Sequence, residues 1–268
     1  MEKQRIGFIG AGNMGAAIIK GISAKLQDST ELFAADPDTA KLEALKSYGV
    51  TPCEDAKAVV RACKYVFLAV KPQVIKPVLE AIADAVTADT VLISIAAGIS
   101  GELIQSTTRP DAKVVLVMPN TPLLLGEGAS ALAQIAPTTD AEFAFVCDIF
   151  ALCGKIAVVA PTQMKEIIAV NSSSPAFIYL FAKGFIDYAA SVGIAEDTAM
   201  TLFSQALIGS AKMMTDAGYT IDELIRMVSS PGGTTLAGLD ALYAGKLTDT
   251  VKAACQNCTR RAYELSQA

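Results

Sequence analysis

The apolar positions of this chain fall into two regimes that meet near residue 160. Before it, short uninterrupted apolar runs alternate with stretches of helical period; after it, only the helical period remains. The runs at 6–9, 32–36, 65–70, 91–96 and 113–118 are too short for helices and too continuous for half-exposed strands. Each therefore reads as a buried parallel strand. Helical patterns follow from Ala16 and over 39–48, 74–86 and 101–107, and the runs 129–134 and 155–160 add strands around a helix over 139–152. Strands that are apolar throughout, alternating with helices, predict a parallel sheet covered on both faces. From Pro161 the period predicts helices over 163–192, with an irregularity near Pro175, and then over 195–217, 220–229, 234–244 and 249–267. The breaks are Ser230-Pro-Gly-Gly233 and Gly245-Lys-Leu-Thr248. Two architectures in sequence predict two domains, 1–160 and 161–268.

The first strand ends in G-x-G-x-x-G, made by Gly10, Gly12 and Gly15 with Ala11, Asn13 and Met14 between them. Glycine-rich turns are common, but this one follows a strand, opens a helix, and has the acid Asp36 closing the second strand. In that setting the first glycine makes the turn, the second admits a pyrophosphate, and the third lets helix and strand approach. Free N–H groups at the helix start complete the anion site. The fold class is thus α/β, with an N-terminal Rossmann-type doubly wound sheet binding a dinucleotide, followed by an all-α C-terminal domain. Asp36 is placed to accept bonds from both ribose hydroxyls and to repel a 2′-phosphate. No arginine stands beside it in Ala35-Asp-Pro-Asp-Thr39, so local chemistry favours NADH over NADPH.

Ligands of an open α/β sheet bind beyond the carboxyl ends of its strands. There the chain offers Ala69, Val70, Lys71 and Pro72, then Ala96 and Ala97, and then Asn120 in Met118-Pro-Asn-Thr-Pro122. The alanines leave room for a flat nicotinamide. Lys71 either touches the cofactor or closes a strand end, and Asn120 either bonds a ligand or stabilises its own turn. A second constellation, Val228-Ser-Ser230-Pro-Gly-Gly233-Thr234-Thr235, ends one helix and starts another, with Thr234 or Thr235 as the first residue. Bare N–H groups beside hydroxyls make it an anion site or an ordinary capped turn. Asn171-Ser-Ser-Ser-Pro-Ala176 costs helix propensity and marks a close helix approach or a site.

Composition removes several function classes. A net charge of −5 and a pI near 4.9 exclude a basic nucleic-acid-binding face. No histidine is present, which removes His-based acid–base chemistry and argues against a metal site. The six cysteines (53, 63, 147, 153, 255 and 258) are expected as free thiols, Cys255-x-x-Cys258 included. The mean hydropathy of +0.43 is high, yet charged and polar residues interrupt every long apolar stretch, so no membrane span is expected. The apolar excess points to a subunit interface. The N-terminus runs directly into the first strand, so no signal peptide is expected and the location is read as cytoplasmic.

At these motifs the chain resembles the pyrroline-5-carboxylate reductase family. The resemblance is carried, in order, by 6–15, Val66-Phe-Leu-Ala-Val-Lys-Pro72, Ser94-Ile-Ala-Ala-Gly98, Met118-Pro-Asn-Thr-Pro122, Ala206-x-x-Gly-Ser-Ala-Lys-Met213 and Ser229-Ser-Pro-Gly-Gly-Thr-Thr235. The last is the family's own signature. The resemblance implies hydride transfer from NADPH or NADH to the C=N carbon of pyrroline-5-carboxylate, giving L-proline. It further implies that Thr235 contacts the ring nitrogen, that Val228, Ser230, Gly233 and Thr234 form the rest of the substrate site, and that the C-terminal domain dimerises, with dimers joining in a larger ring. Two departures stand out. The family's Ser-Gly-Ser-Gly/Ser-Pro-Ala-Tyr is here Asn171-Ser-Ser-Ser-Pro-Ala-Phe177, and its usual adenosine-side Asn is Ala56. The competing readings are a related imine reductase, a β-hydroxyacid dehydrogenase (for which only Lys183 is available) and a non-catalytic dinucleotide sensor.

Overall fold

The computed structural model describes residues 3–26 and 28–266. They form two compact units, one of 1–175 with 257–268 and the other of 176–256. The first takes in residues on both sides of the boundary expected at 160.

Its sheet has eight strands: β1 (Gln4–Ile9), β2 (Thr30–Ala35), β3 (Val50–Pro52), β4 (Tyr65–Leu68), β5 (Val91–Ser94), β6 (Lys113–Met118), β7 (Gly128–Ile135) and β8 (Gly154–Val158). They lie in the order β3-β2-β1-β4-β5-β6-β7-β8. The helices between them are α1 (Asn13–Leu26), α2 (Thr39–Leu45), α3 (Ala56–Ala62), α4 (Pro72–Ile82), α5 (Gly101–Thr107) and α6 (Asp140–Ala151). Alternation along each strand feeds two separate cores. Tyr65 and Phe67 join Ile6, Phe8, Ile18, Ile22 and Phe150 on the face covered by α1 and α6, where Phe8 and Phe67 stack at 4.5 Å. Val66 and Leu68 face Val59, Leu79 and Ile104 under α3, α4 and α5. Each such apolar side chain taken from water contributes about 1.5–3 kcal/mol.

The sheet is not parallel throughout, as its pattern had suggested. β7 runs antiparallel to β6, with Met118 opposite Ala131, and β8 follows β7 in parallel. Only a short 3-10 turn, Thr121–Leu125, joins β6 to β7; a parallel return needs a crossover of a dozen residues or more. β3 and α3 were absent from the expected elements. β3 is three residues long, largely exposed and ends in proline, so it carries no periodic signal.

The expected helix over 163–192 divides in two. A π-helical turn at Ile168–Ser172 precedes α7 (Ser174–Ser191). The second unit holds most of α7, then α8 (Glu196–Asp216), α9 (Ile221–Met227), α10 (Thr234–Ala244) and the first half of α11 (Leu247–Leu265). Phe185 stacks on Phe203 at 4.3 Å, with Phe181 edge-on at 5.1 Å from Phe185. Yet Ala189 and Ala199 are its only buried residues, while Leu180, Tyr188, Leu202, Met214 and Tyr243 stand exposed. A unit of 81 residues with so little core does not account for its own stability. The last turns of α11 belong with the first unit: Ala262 is 4% exposed there, and a Cβ on Gly98 would stand 3.2 Å from its carbonyl oxygen.

No helix among the described residues is long and apolar enough to cross a membrane, and no cluster of metal-ligating side chains occurs among them. The six cysteines are free, with Cys63 and Cys153 buried.

Candidate active site

The turn after β1 is built around Gly10, whose φ of +102° is in the left-handed region. A Cβ there would meet the Ala69 carbonyl oxygen at 2.5 Å, so only glycine lets β1 and β4 deliver their loops side by side. A Cβ on Gly15 would meet the Gly10 carbonyl oxygen at 2.7 Å, whereas nothing stands within 4 Å of a Cβ built on Gly12. The middle glycine thus opens on free space at the start of α1, which begins at Asn13 rather than at Ala16. A pyrophosphate needs that arrangement, and the residues present fit it.

Asp36 follows β2 and is tied to this turn. Its Oδ2 accepts from the Ala11 N–H at 2.7 Å, and its Oδ1 accepts from the Asp38 N–H at 2.9 Å and from Lys41 Nζ at 3.4 Å. Burial pushes the Asp36 carboxyl up, but the two N–H groups and the Lys41 ammonium outweigh it and hold the pKa below the ordinary value. The group is an anion at neutral pH, held in place by the loop it serves.

Gly10, Gly12, Asp36, Ala69, Val70 and Lys71 line one cavity of about 690 Å³ beyond the ends of β1, β2 and β4. Pro72 opens α4 at its first position, with Lys71 as N-cap. Ala96 lines a different cavity of about 260 Å³, with Ser94, Gly98, Met118 and Lys165; Ala97 packs partly buried against the core. Asn120 joins neither cavity. Its Oδ1 accepts from the Ala129 N–H at 2.9 Å and its Nδ2 donates to the Asn171 carbonyl at 3.4 Å, which is the turn-stabilising alternative. Sequence reading passed over Lys41, Asp38, Glu54 and Asp55, which also line the larger cavity, as does Ala56.

The second constellation lies in the helical unit. α9 stops at Met227, two residues short of the expected end. Ser229 donates to the Ile225 carbonyl at 2.7 Å, and Ser230 precedes a proline, which disfavours helix. The Gly233 N–H donates to the Ser230 carbonyl at 2.9 Å across a turn with Gly232 at φ +70°. A Cβ on Gly233 would meet Ser230 Oγ at 2.5 Å, so a larger residue there would make that hydroxyl turn away. Gly233 is the N-cap of α10 and offers no side chain to cap it, and Thr234 is the first helical residue. Thr235 is therefore not a cap. The N–H groups of Thr234, Thr235 and Leu236, at the helix start, lack intrahelical partners, and Thr235 is exposed. Val228 lines an apolar cavity of about 520 Å³ with Met213, Ile221 and Leu224.

Two family models match the chain. A family model described as pyrroline-5-carboxylate reductase dimerisation matches residues 161–265, and one described as NADP oxidoreductase, coenzyme F420-dependent, matches residues 5–98. The pyrroline-5-carboxylate reductase of Escherichia coli K12 is 34% identical over the full length of both chains.

The chain belongs to the pyrroline-5-carboxylate reductase family.

The enzyme of Pisum sativum is also 34% identical, over 99% of this chain and 97% of its own. Among solved structures, that of Coxiella burnetii pyrroline-5-carboxylate reductase matches with a TM-score of 0.91 at 30% identity over the whole of both chains. That of Plasmodium falciparum pyrroline carboxylate reductase, with NADP bound, gives 0.90 at 28% over 99% of each. The chain is accordingly an NAD(P)H-dependent oxidoreductase with a self-associating helical domain. Of its two departures from the family pattern, Asn171 has a structural use. Its Nδ2 donates to the carbonyls of Met118 at 2.6 Å and Ala129 at 3.1 Å, reaching across to β6 and β7 from the π-helical turn. An extra residue per turn explains the poor helix propensity seen there in the sequence.

Proposed function

We propose that the chain reduces the C=N bond of 1-pyrroline-5-carboxylate to give L-proline, with the turn from Val228 to Thr235 as its substrate cradle. The observation that carries this reading is the start of α10, where the N-cap Gly233 has no side chain to occupy the first N–H groups. Its free N–H groups suit the substrate carboxylate, and the Thr235 hydroxyl at the second helical position suits the ring nitrogen. Ser230 and Val228 border the same turn. The Gly10–Gly15 turn, Asp36 and the 69–72 loop hold the dinucleotide, which when bound supplies the hydride from its nicotinamide ring. A cyclic imine binds already protonated, so a site without histidine suffices: its residues orient the ring, keep water away and stabilise the nitrogen as it becomes an amine.

We assign residues 1–160 to dinucleotide binding and 161–268 to substrate binding and dimerisation. The exposed apolar helices support a dimer, and assembly of dimers into a larger ring is the finer proposal. Free thiols support a cytoplasmic location. The test is imine-dependent oxidation of NADH or NADPH by the purified protein. Oxidation with six-membered imines but not with pyrroline-5-carboxylate would transfer the chain to a related imine reductase, and cofactor binding without turnover would make it a sensor.

A further inference from the structure

The smaller cavity, which Ser94 and Lys165 line, belongs wholly to the first unit. At about 260 Å³ it falls below the range of drug-sized ligands, about 300 to 1,000 Å³, and suits a small metabolite. Ile99, Leu116 and Met164, all buried, give it apolar walls. Lys165 and Glu102 bring it one charge of each sign, and neither forms an ion pair among the described residues. Lys165 Nζ donates to Ser266 Oγ at 2.8 Å and stands 4.5 Å from the centre of the Tyr263 ring, which leaves N–H donors unspent. Ser94, at the end of β5, is 1% exposed. Its Oγ accepts from the Ala96 N–H at 3.4 Å, but its own proton has no acceptor among the described residues. A buried hydroxyl in that state is short of one partner.

We propose that this cavity binds a small aliphatic α-amino acid, with its carboxylate on Lys165 and its ammonium on Glu102, at a site separate from the reaction. The charges select the ligand class. A neutral molecule covering the cavity would leave both charges unmatched, and a singly charged one would leave one; a zwitterion matches both. A dianionic phosphate would meet Glu102. The apolar walls then take an aliphatic side chain, and the carboxylate offers the Ser94 hydroxyl the acceptor it lacks. The turn proposed as substrate cradle lies in the other unit, so the two sites share no residue. The assignment holds whichever imine the enzyme reduces. Its occupant would rest on Ala96 and Gly98, in the segment expected beside the nicotinamide, and on Tyr263 of the last helix. An amino acid held there bears on turnover without entering the reaction.

The test is calorimetric titration of the full-length protein with three probes of one carbon skeleton. L-Valine carries both charges, 3-methylbutanoate only the carboxylate and 2-methylpropylamine only the ammonium. L-Valine is expected to bind with a Kd of about 1 mM or tighter, and each of the other two about tenfold more weakly. Lys165→Met should weaken L-valine and 3-methylbutanoate by about tenfold and leave 2-methylpropylamine unchanged. Glu102→Gln should do the reverse for the two single-charge probes. These paired responses separate a lost contact from a misfolded variant, which would lose all three probes together. Absence of L-valine binding to wild type at roughly ten times the expected Kd overturns the proposal. So does equal affinity for L-valine in wild type, Lys165→Met and Glu102→Gln. In steady-state assays L-valine should leave the KM for the imine unaltered. Inhibition competitive with the imine and indifferent to Lys165→Met would place L-valine in the substrate cradle, and the assignment of this cavity would fall while the imine reading stood.

Discussion

Asn120 and Asn171 bracket the backbone of one residue, Ala129. Asn120 accepts the Ala129 N–H at 2.9 Å, Asn171 donates to the Ala129 carbonyl at 3.1 Å, and Asn120 in turn donates to the backbone of Asn171 at 3.4 Å. The start of β7 is thereby fixed to the loop after β6 and to the π-helical turn. Asn171→Ala leaves the carbonyls of Met118 and Ala129 without this donor and should lower stability by about 1–3 kcal/mol. Urea unfolding with an unchanged m-value measures it. A variant as stable as wild type would show that water replaces the amide at no loss.

Asp36 is charged, and its geometry favours a free ribose hydroxyl. Asp36→Ser removes the repulsion of a 2′-phosphate and releases Lys41 from its carboxylate partner. Preference should move toward NADPH by roughly tenfold in kcat/KM, about 1.4 kcal/mol. If wild type prefers NADPH a hundredfold and Asp36→Ser leaves that ratio unaltered, the residue takes no part in the choice.

Thr235 separates chemistry from stability unusually well, because Gly233 and not Thr235 caps α10. Loss of a hydrogen bond to a charged nitrogen should reduce kcat/KM for the imine by roughly ten- to a hundredfold in Thr235→Ala. Thr235→Ser should lose much less, and the melting temperature of both variants should stay near that of wild type, since an exposed position away from a cap changes stability by about 0.5 kcal/mol at most. Full turnover in Thr235→Ala would exclude the hydroxyl from the reaction.

Acid should expose a weakness at the opposite, amino ends of the strands. Burial pushes the Glu142 carboxyl up, but the Lys113 ammonium at 2.7 Å, the Thr139 N–H and hydroxyl, and Lys64 at 3.2 Å bring its pKa down to about 2 from an ordinary 4.5. A depressed carboxylate contributes its stability above the unfolded pKa and loses it as pH falls toward the folded one. The window therefore runs from pH 4.5 down to about 2, and the contribution at neutral pH is on the order of 3 kcal/mol. Glu142→Gln should be less stable at pH 7 and show a flatter loss below pH 4.5. Parallel acid unfolding of the two proteins would rule this out.

Light scattering should find at least a dimer at low micromolar concentration. The helical unit leaves Leu180, Leu202 and Tyr243 exposed and buries only Ala189 and Ala199, and its family model is one of dimerisation. The melting temperature should then rise with protein concentration. A stable, active monomer would remove the helical unit from assembly.

Much of this was legible because periodicity and glycine spacing are local signals. α5, β6 and α10 lie where the pattern puts them, since capping residues and apolar runs coincide at their ends. What escaped depends on space. Lys41 is five residues from Asp36 in sequence, and only the entry into α2 brings their charges together. The direction of β7 is set by the length of a connection, and Asn171 looked like a poor helix former because its partners lie more than forty residues away.

The division of α11 between the two units bears on how the protein is made. Ala262 closes over Gly98, Tyr263 donates to Glu166 at 2.6 Å, and Lys165 donates to Ser266 at 2.8 Å. The nucleotide-binding unit therefore takes in a segment that follows the helical unit in sequence. During synthesis, its core beside Gly98 must wait until the end of α11 has left the ribosome. A fragment cut after residue 175 would be a sheet with an open seam, prone to aggregate at that seam.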